Sequence, residues 1–380
     1  MTITSKLPDV GTSIFTVMSA LAAEHGAVNL SQGFPDFDTP PALIDRVFAH
    51  MQAGRNHYAP MQGVAMLRER IAAKVADLYG NPVDPDTEIT ITSGATEALF
   101  AAITAVVRPG DEVVVFEPAF DAYVPVIRLS GGTPVYLSMK RPDYHIDRDE
   151  VSDAIGPNTR LIIINSPHNP TGTVLSPADI AALKQIMADR NIFIVSDEVY
   201  EHIIFDGLVH ESVLRDPLLY SKSFVISSFG KTYHTTGWKI GYCVAPPPLT
   251  QEFQRVHQFL TFSSNTPIQW AYADIMEDAS LYLGLSVFYQ KKRDRFLSLL
   301  ENSRFNPLPC HGTYFQMMDY SAISDLDDVA FARQMTTVHK VAVIPPSTFY
   351  HDGQDNRVLR FCFAKRDHTL EQAAEILCRI

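Results

Sequence analysis

The middle of the chain alternates short apolar segments with helical patterns, and this alternation limits the possible folds more than any other feature. Seven short segments rich in apolar and β-branched residues are predicted as strands: 88–92, 112–116, 133–137, 161–165, 192–196, 224–227 and 240–244. Helical patterns separate several of them, among them 98–107 and 177–189, the latter with Ser176 as its predicted N-cap. Buried strands that alternate with helices favour an α/β fold with a mainly parallel sheet covered on both faces.

The two ends of the chain have a different pattern. The first 40 residues are rich in loop-forming residues, whereas a long helical pattern begins near Leu281. Strands are predicted near 313–318, 341–344 and 358–363, followed by a closing helix at 369–380. This order is typical of a smaller α+β unit, and 380 residues suit two domains. We therefore predict a large domain at 46–280 and a small domain formed by an N-terminal segment, 1–45, with residues 281–380.

Composition and charge argue against several classes of protein. Acidic residues outnumber Lys and Arg by 43 to 31, a net charge of −12, whereas nucleic-acid binding usually requires a basic surface. No apolar run approaches the roughly 18 residues of a membrane helix, and residues 1–9 lack the apolar core of a secretory signal. The cysteines form neither a metal-ligand pattern nor a disulfide framework, so we expect buried thiols at Cys243, Cys310, Cys362 and Cys378. The prediction is a cytoplasmic protein without nucleic-acid, membrane or metal partners.

The segment Ser93-Gly94-Ala95-Thr96 follows a predicted strand and opens a helix. Small residues let the backbone approach an anion, and a helix N-terminus supplies free N–H groups and a favourable dipole. Gly94, Ala95 and Thr96 are therefore candidates for binding a phosphate, although an ordinary helix cap can have the same residues. The segment is neither a P-loop nor a dinucleotide fingerprint, which disfavours ATP and dinucleotides.

Polar residues also follow two other predicted strands. Asn169 lies in the turn-rich segment 165–172, Asp197 comes directly after the strand 192–196, and Tyr200 follows three residues later. Ligands of such sheets bind at the carboxyl ends of the strands. An aspartate there can pair with a protonated pyridine nitrogen, and Asn169 and Tyr200 can donate to a phenolic oxygen, as pyridoxal 5'-phosphate (PLP) requires. The alternative is a turn asparagine, an N-cap aspartate and a packing tyrosine.

Lys231 lies in a loop of small residues, 227–241, that follows another predicted strand. Its amine can reach into a crevice and form an imine with an aldehyde. Ser228 and Lys239 flank it and can hold a phosphate, Lys239 as a point charge. A single loop lysine is usually a solvated surface residue, so this interpretation depends on the accompanying motifs.

Together, the motifs resemble those of the class I/II aminotransferases of the aspartate aminotransferase superfamily. They are, in order, Ser-Gly-Ala-Thr-Glu-Ala, Asn-Pro-Thr-Gly, Asp-Glu-Val-Tyr, Ser-Phe-Gly-Lys and Thr-Gly-Trp-Lys-Ile-Gly. The resemblance covers essentially the whole chain, and residues 29–37 and 360–363 resemble the kynurenine–oxoglutarate and bacterial methionine aminotransferase branch. It implies a fold-type I architecture, PLP as cofactor, and amino-group transfer between an amino acid and a 2-oxo acid.

The resemblance assigns roles around the cofactor ring. Lys231 resembles the lysine that forms the Schiff base and moves the substrate proton, and Asp197 resembles the partner of the pyridine nitrogen. Asn169 and Tyr200 match the donors to the phenolic oxygen, and Phe120 matches the aromatic residue that stacks on the ring.

The resemblance also assigns the phosphate site. Ala95, Thr96, Ser228 and Lys239 fall in this region, although much of the superfamily has arginine at position 239 and lysine lacks its two-pronged geometry. Tyr58 resembles the tyrosine that one subunit of a homodimer contributes to its partner's phosphate.

The substrate site is predicted in the same way. Arg360 lies between apolar residues in an apparently buried strand, where it needs an anionic partner. The family uses this arginine to bind the substrate α-carboxylate, and Gly33 to line the same site; a structural ion pair is the alternative for Arg360. Segment 260–270 contains no cation for an acidic side chain, and Phe15, Phe262 and Tyr123 could form an apolar or aromatic pocket.

This pocket favours methionine as the amino donor, followed by phenylalanine, tyrosine, leucine and kynurenine, over aspartate. A PLP-dependent β-lyase acting on cystathionine or cysteine conjugates needs the same lysine, aspartate and arginine and is the alternative enzyme. A PLP-binding regulator would carry an added basic DNA-binding domain, whereas the family's own N-terminal segment accounts for the roughly 90 residues before the phosphate segment.

Overall fold

The computed structural model describes residues 3–380, and we number its strands and helices in chain order. The strands are β1 Val28–Asn29, β2 Ile89–Thr92, β3 Glu112–Glu117, β4 Thr133–Ser138, β5 Thr159–Asn165, β6 Phe193–Asp197, β7 Ser223–Ser228, β8 Gly241–Val244, β9 Asn306–Pro307, β10 Phe315–Asp319, β11 Val341–Ala342 and β12 Val358–Cys362. The helices are α1 Ile14–His25, α2 Pro41–Gln52, α3 Ala65–Tyr79, α4 Ala95–Val106, α5 Tyr123–Leu129, α6 Arg148–Ala154, α7 Pro177–Met187, α8 Pro217–Tyr220, α9 Phe229–Thr232, α10 Pro247–Leu260, α11 Thr266–Ile275, α12 Ser280–Leu283, α13 Leu285–Leu299, α14 Asp328–Thr337 and α15 Asp367–Leu377. No helix among the described residues has the length and apolar character needed to cross a bilayer.

The central sheet has seven strands in the order β2-β8-β7-β6-β5-β3-β4. Pairs within the run from β7 to β4 are parallel, and β8 pairs antiparallel with both β2 and β7. The predicted mainly parallel sheet is thus confirmed. The antiparallel strand β8 inserts between β2 and β7, so it places the end of β2 close to the loop that follows β7.

Alternate residues of the strands pack against two different helical layers. In β5, Ile162 and Ile164 belong to one apolar core, whereas Leu161 and Ile163 belong to the core on the other face, where α4 packs. This is the period of two that a strand imposes on its side chains. Helix α7 begins with the predicted cap, because the Ser176 hydroxyl accepts from the Asp179 N–H and the Asp179 carboxylate accepts from the Ser176 N–H.

A third apolar core joins the two ends of the chain. It contains Met18 and Leu30 together with Tyr289, Phe331 and Phe361, and β1 pairs in parallel with β11. A three-stranded sheet, β12-β10-β9, forms the centre of this unit. The residue limits 45 and 280 for the two domains remain predictions.

The loop-rich first 40 residues include a helix, α1, that was not predicted from the sequence. This helix buries Met18 and Ala22 and ends at Gly26, which has a left-handed φ of 59°. Ser13 makes no side-chain capping bond, so the local signals for the helix are weak. Short helices gain most of their stability from tertiary packing, and α1 packs against α14 and β11.

A buried ion pair lies beneath the segment that follows β6. Lys74 Nζ is 2.6 Å from Glu201 Oε1 and 2.6 Å from the Tyr242 hydroxyl, and Tyr79 donates to the other oxygen of Glu201. Burial alone would raise the pKa of Glu201, but the charge and hydrogen bonds of Lys74 outweigh it and hold this pKa well below its ordinary value. The ion pair therefore anchors the stretch of chain that carries Asp197 and Tyr200.

Replacing Lys74 by Met should lower the free energy of unfolding by about 3–5 kcal/mol, because Glu201 would keep its buried charge without a cationic partner. Folding lowers the pKa of Glu201, so the pair stabilises the protein above the ordinary pKa of 4.5 and loses its effect as pH falls. The difference between variant and native protein should therefore shrink in acid. Urea denaturation at a series of pH values measures both effects.

The matched control is Lys184→Met. Lys184 Nζ is also 2.6 Å from a carboxylate oxygen, that of Asp216, but the lysine side chain is 52% exposed. Its loss should cost roughly 1 kcal/mol or less. Equal losses for the two variants would contradict the role given to the buried pair.

Candidate active site

A cavity of about 240 Å³ lies at the carboxyl ends of β5, β6 and β7. Ten of the residues predicted for the site line it: Gly94, Ala95, Thr96, Phe120, Asn169, Asp197, Tyr200, Ser228, Lys231 and Lys239. The register of the sheet explains why they meet, because Asn165 pairs with Asp197, and Asp197 with Ile226 two residues before the end of β7. Adjacent strands lie about 4.8 Å apart, so residues at their ends reach one volume.

Lys231 is held in the wall of the cavity by two oxygen atoms. It belongs to α9, the single turn that follows β7, and its Nζ donates to the Gly33 carbonyl at 3.0 Å and to the Tyr314 hydroxyl at 2.9 Å. Tyr314 itself donates to the same carbonyl at 2.6 Å. Burial lowers the pKa of Lys231 to about 8, so this amine loses its proton more readily than an exposed lysine.

Asp197 is the last residue of β6 and is 4% exposed. Its Oδ2 accepts from the Tyr123 hydroxyl at 2.6 Å, and its Oδ1 accepts from the Val199 N–H at 3.3 Å. Burial raises the pKa of Asp197 to about 6, and the hydrogen bond from Tyr123 opposes this rise. A cation placed in the cavity would favour the charged carboxylate further.

The opposite end of the cavity is shaped by two glycines. Gly94 precedes α4 with φ 82° and ψ 167°, a conformation that glycine adopts most easily. A Cβ at Gly241 would lie 2.8 Å from the Ala95 nitrogen, so glycine there lets the N-terminus of α4 approach β8. Lys239 also lies here, since its Cε would be 3.3 Å from a Cβ at Gly94. Free N–H groups of the first helical turn and a lysine form an anion-binding set.

Arg360 is completely buried, and no carboxylate within residues 3–380 forms a salt bridge with it. One terminal nitrogen donates to Asn169 Oδ1 at 2.8 Å and the other to the Ser31 carbonyl at 2.9 Å, whereas Nε has no partner. Burial lowers the pKa of Arg360 to about 10. A buried guanidinium with only neutral partners favours the binding of an anion. The alternative of a structural ion pair therefore loses support.

Aromatic rings surround this guanidinium. Its carbon lies 3.9 Å from the ring centre of Phe315, 5.0 Å from that of Phe15 and 5.9 Å from that of Phe349. Gly33 lies against the same wall, since a Cβ at this position would be 2.9 Å from Phe315. Aromatic rings thus form much of the surroundings of Arg360, together with the Ser31 carbonyl and Asn169, and the Asp121 carboxylate acts on it from beyond salt-bridge distance.

Three predicted residues lie elsewhere. Tyr58 and Phe262 are 84% and 44% exposed, pack edge to face at 5.6 Å and do not line the cavity of their own chain. Tyr123 was predicted as a possible wall of the substrate pocket, but it is buried and its hydroxyl binds Asp197. A pattern of residue types gives no information on the direction of a hydroxyl, which only the packing of α5 on the sheet determines.

Sequence reasoning missed Tyr314 and the carbonyl of Ser31. Tyr314 immediately precedes β10 in an alternating strand pattern where a tyrosine is ordinarily a core residue, and a carbonyl carries no signal in the sequence. Each of the four cysteines, all within the described residues, is unpaired; Cys378 is exposed, contrary to expectation, because it follows the last turn of α15.

Comparisons with known proteins identify the family of the chain. The family model for "Aminotransferase class I and II" matches residues 25–377. The chain is 53% identical to methionine aminotransferase of Escherichia coli over 98% of this chain and 97% of that protein. It is 34% identical to kynurenine–oxoglutarate transaminase of Dictyostelium discoideum over 97% and 94% of the two chains. A crystal structure of an Escherichia coli protein with an identified methionine aminotransferase function superposes with a TM-score of 0.98 at 52% identity, covering all of both chains.

The environment of Lys231 makes a testable prediction for protein freed of any cofactor. Trace labelling with acetic anhydride from about pH 6 to about pH 11 should give a midpoint near 8 for Lys231, rather than its ordinary 10.5. Mass spectrometry of the peptide that contains Lys231 measures the labelled fraction. In urea the same peptide should return to the ordinary midpoint, and an unchanged midpoint in the folded protein would contradict the described burial.

Proposed function

The chain belongs to the class I and II aminotransferases, as its motifs predict, and from this premise we propose that it transfers the amino group of methionine to a 2-oxo acid with PLP bound in the cavity. Enzymes of this family depend on PLP in general. The observation that carries the proposal is Arg360, a buried guanidinium without a carboxylate partner in residues 3–380, beside the cavity that Lys231 and Asp197 line. Arg360 and Lys231 both bind carbonyls of segment 31–33, which links them to one site.

The residues of the cavity fit PLP in their chemistry. The first turn of α4, with Ser228 and Lys239, would hold the phosphate, and the close approach permitted at Gly241 keeps this end narrow. Asp197 would face the ring nitrogen, and Phe120 would pack on the ring. When bound, PLP supplies an aldehyde that takes up amino groups and a ring that withdraws electrons from the substrate Cα.

The protein's own residues would bind the amino acid and move its proton. The guanidinium of Arg360 matches a carboxylate in shape and charge, so it would fix the α-carboxylate and thereby orient Cα. Lys231 would accept the Cα proton at Nζ and return it, which its lowered pKa near 8 permits. The Gly33 carbonyl and the Tyr314 oxygen accept N–H bonds from Nζ and so orient its lone pair.

Two observations support methionine as the donor. Phe15, Phe315 and Phe349 surround Arg360 with apolar surface, and segment 260–270 has no cation for an acidic side chain. The similarity to an Escherichia coli methionine aminotransferase adds independent support. Phenylalanine, tyrosine, leucine and kynurenine are the wider set of donors. The β-lyase alternative is not favoured, because the similar proteins are aminotransferases.

We also propose a homodimer in which Tyr58 of each subunit completes the partner's phosphate site. Tyr58 is 84% exposed, and the neighbouring surface includes the exposed residues Met51 and Phe262. An exposed apolar patch of this kind is typical of an interface. A cytoplasmic location remains a prediction from the sequence.

A panel of amino donors tests the reaction. With a 2-oxo acid acceptor, kcat/KM should be highest for methionine and at least about 10²-fold lower for aspartate, whose second carboxylate would be desolvated without a cation. Release of pyruvate and ammonia from cysteine conjugates, without a 2-oxo acid, should be minor. A preference for aspartate, or lyase activity above transamination, would refute the proposal.

Arg360→Lys, tested with the same panel of donors, shows whether Arg360 binds the α-carboxylate or the side chain of the substrate. Lysine keeps the charge but loses the two-pronged donor, so kcat/KM should fall by roughly 10- to 100-fold for every donor alike. A loss confined to one donor would place Arg360 at the substrate side chain instead of the α-carboxylate.

Subunit mixing tests the shared site. Subunits with Lys231→Ala and with Tyr58→Ala, each weak alone, should recover activity together, because a mixed dimer has one site with both defects and one with neither. Random mixing of equal amounts makes about half of the dimers mixed. Each mixed dimer has one intact site of two, so about a quarter of native activity is expected. The control mixes subunits with Lys231→Ala and subunits with Asp197→Ala. Each chain supplies both of these residues to its own cavity, so every site of a mixed dimer has one defect and activity should not recover. A monomer, or no recovery after proven exchange, would exclude sharing.

A further inference from the structure

We propose that Tyr123 is a positioning residue that holds Asp197 in the charged form and orientation that a pyridine nitrogen requires. This inference rests on the proposed function and deepens it, because it names the residue that sets the properties of the aspartate. The geometry points to it directly: the Tyr123 hydroxyl lies 2.6 Å from Asp197 Oδ2, and both residues are buried.

The hydrogen bond has one possible direction. Burial and the adjacent carboxylate raise the pKa of Tyr123 well above 10, so its hydroxyl stays protonated and donates. A donated hydrogen bond stabilises the carboxylate over the carboxylic acid. Burial has the opposite effect and raises the pKa of Asp197 to about 6. The hydrogen bond from Tyr123 opposes this rise and so increases the charged fraction of the aspartate.

Tyr123 also fixes the direction of the carboxylate. The Val199 N–H binds Oδ1 and Tyr123 binds Oδ2, so both oxygens are held. The backbone carbonyl of Asp197 accepts from Asn165 Nδ2 at 2.8 Å, which fixes the end of β6. The carboxylate plane is therefore determined before any ligand enters, which lowers the reorganisation needed for binding.

The same side chain supports the proposed stacking residue. The rings of Tyr123 and Phe120 meet edge to face with centres 5.7 Å apart, and the Tyr123 N–H donates to the Phe120 carbonyl at 3.2 Å. One residue at the start of α5 thus contacts both the aromatic ring and the carboxylate that line the cavity. Tyr123 does not itself line the cavity, so its effect is exerted through these two neighbours.

Two other charged groups within residues 3–380 act on Asp197. Lys231 of α9 favours its charge, and Glu198, the next residue, opposes it. Glu198 is already engaged by the Ser196 hydroxyl at 2.7 Å and by His210 Nε2 at 2.7 Å. Tyr200 and Asp121 also face Tyr123. Tyr123 is the side chain that donates directly to the Asp197 carboxylate among the described residues.

The first experiment uses protein freed of cofactor. With ¹³C-labelled aspartate, the Asp197 carboxyl signal, assigned with Asp197→Asn, should titrate near pH 6 in the native protein. In Tyr123→Phe, which keeps the ring against Phe120 but lacks the hydroxyl, the midpoint should rise by about one pH unit or more. An unchanged midpoint overturns the proposal at its first step, independently of whether the protein is an aminotransferase.

The second experiment uses holoenzyme loaded with PLP labelled with ¹⁵N in the ring. In Tyr123→Phe the ring nitrogen should lose its proton at a pH about one unit or more below the native midpoint, because the aspartate retains its charge less well. The value of kcat should fall about 10-fold while KM for methionine stays within about twofold, since Arg360 is unaffected. A shift in the aspartate without a shift in the ring nitrogen overturns the positioning role.

The matched control is Tyr320→Phe. Tyr320 is equally buried and its hydroxyl donates to the Leu326 carbonyl at 3.0 Å, far along the chain from the cavity residues. Tyr320→Phe should lower thermal stability as Tyr123→Phe does, but it should leave the titration midpoints of Asp197 and of the ring nitrogen, and kcat, unchanged. If the native protein neither takes up PLP nor transaminates, the proposed function is refuted, and with it the experiment on the ring nitrogen. If the native protein transaminates but Tyr123→Phe leaves the midpoint of Asp197 unchanged, this inference alone is refuted.

Discussion

The parallel register of β5, β6 and β7 is the constraint on which the rest of the site depends. Backbone hydrogen bonds place Asn165 opposite Asp197, and Asp197 opposite Ile226, so polar residues separated by tens of positions end at one edge of the sheet. Because β8 runs antiparallel between β2 and β7, it also places the start of α4 beside Ser228 and Lys239. The sheet thus brings an anion site and a carboxylate to one cavity, and Tyr123 of α5 supplies the hydrogen bond that orients the carboxylate.

The second group of site residues comes from the unit that joins the two chain ends. Segment 31–33 offers its carbonyls to Arg360 and Lys231, and Tyr314 binds both Lys231 and the Gly33 carbonyl. These contacts tie the lysine that follows β7 to residues whose packing is set by the terminal core. The site therefore depends on how this unit packs against the central sheet, even though the sheet supplies most of the cavity wall.

The sequence predicted the central strands closely because their apolar, β-branched residues admit few alternatives. Strand β4 begins at Thr133 as predicted, and β3 begins at Glu112 as predicted. Helix α1 was missed because its stability comes from packing against distant elements. The position of Asp197 followed from its place at a strand end, but the partner of its carboxylate did not, since Tyr123 reaches it only through the packing of α5 on the sheet. The Lys74–Glu201 pair is hidden for the same reason, because its two residues lie 127 positions apart.

Burial acts on the charged groups of the site in a consistent way. It lowers the pKa of Lys231 to about 8 and that of Arg360 to about 10, and it raises that of Asp197 to about 6, so each group is closer to neutrality than in water. Lys231 and Lys239 line the cavity and Arg360 lies beside it, whereas Asp197 is the one carboxylate that the described residues contribute to the lining, so positive charge predominates here in a chain of net charge −12. Anionic ligands, a phosphate at one end and an α-carboxylate at the other, would relieve this imbalance and restore full charge to the groups that bind them. Each anion would thereby offset part of the cost of burying the cationic group that binds it.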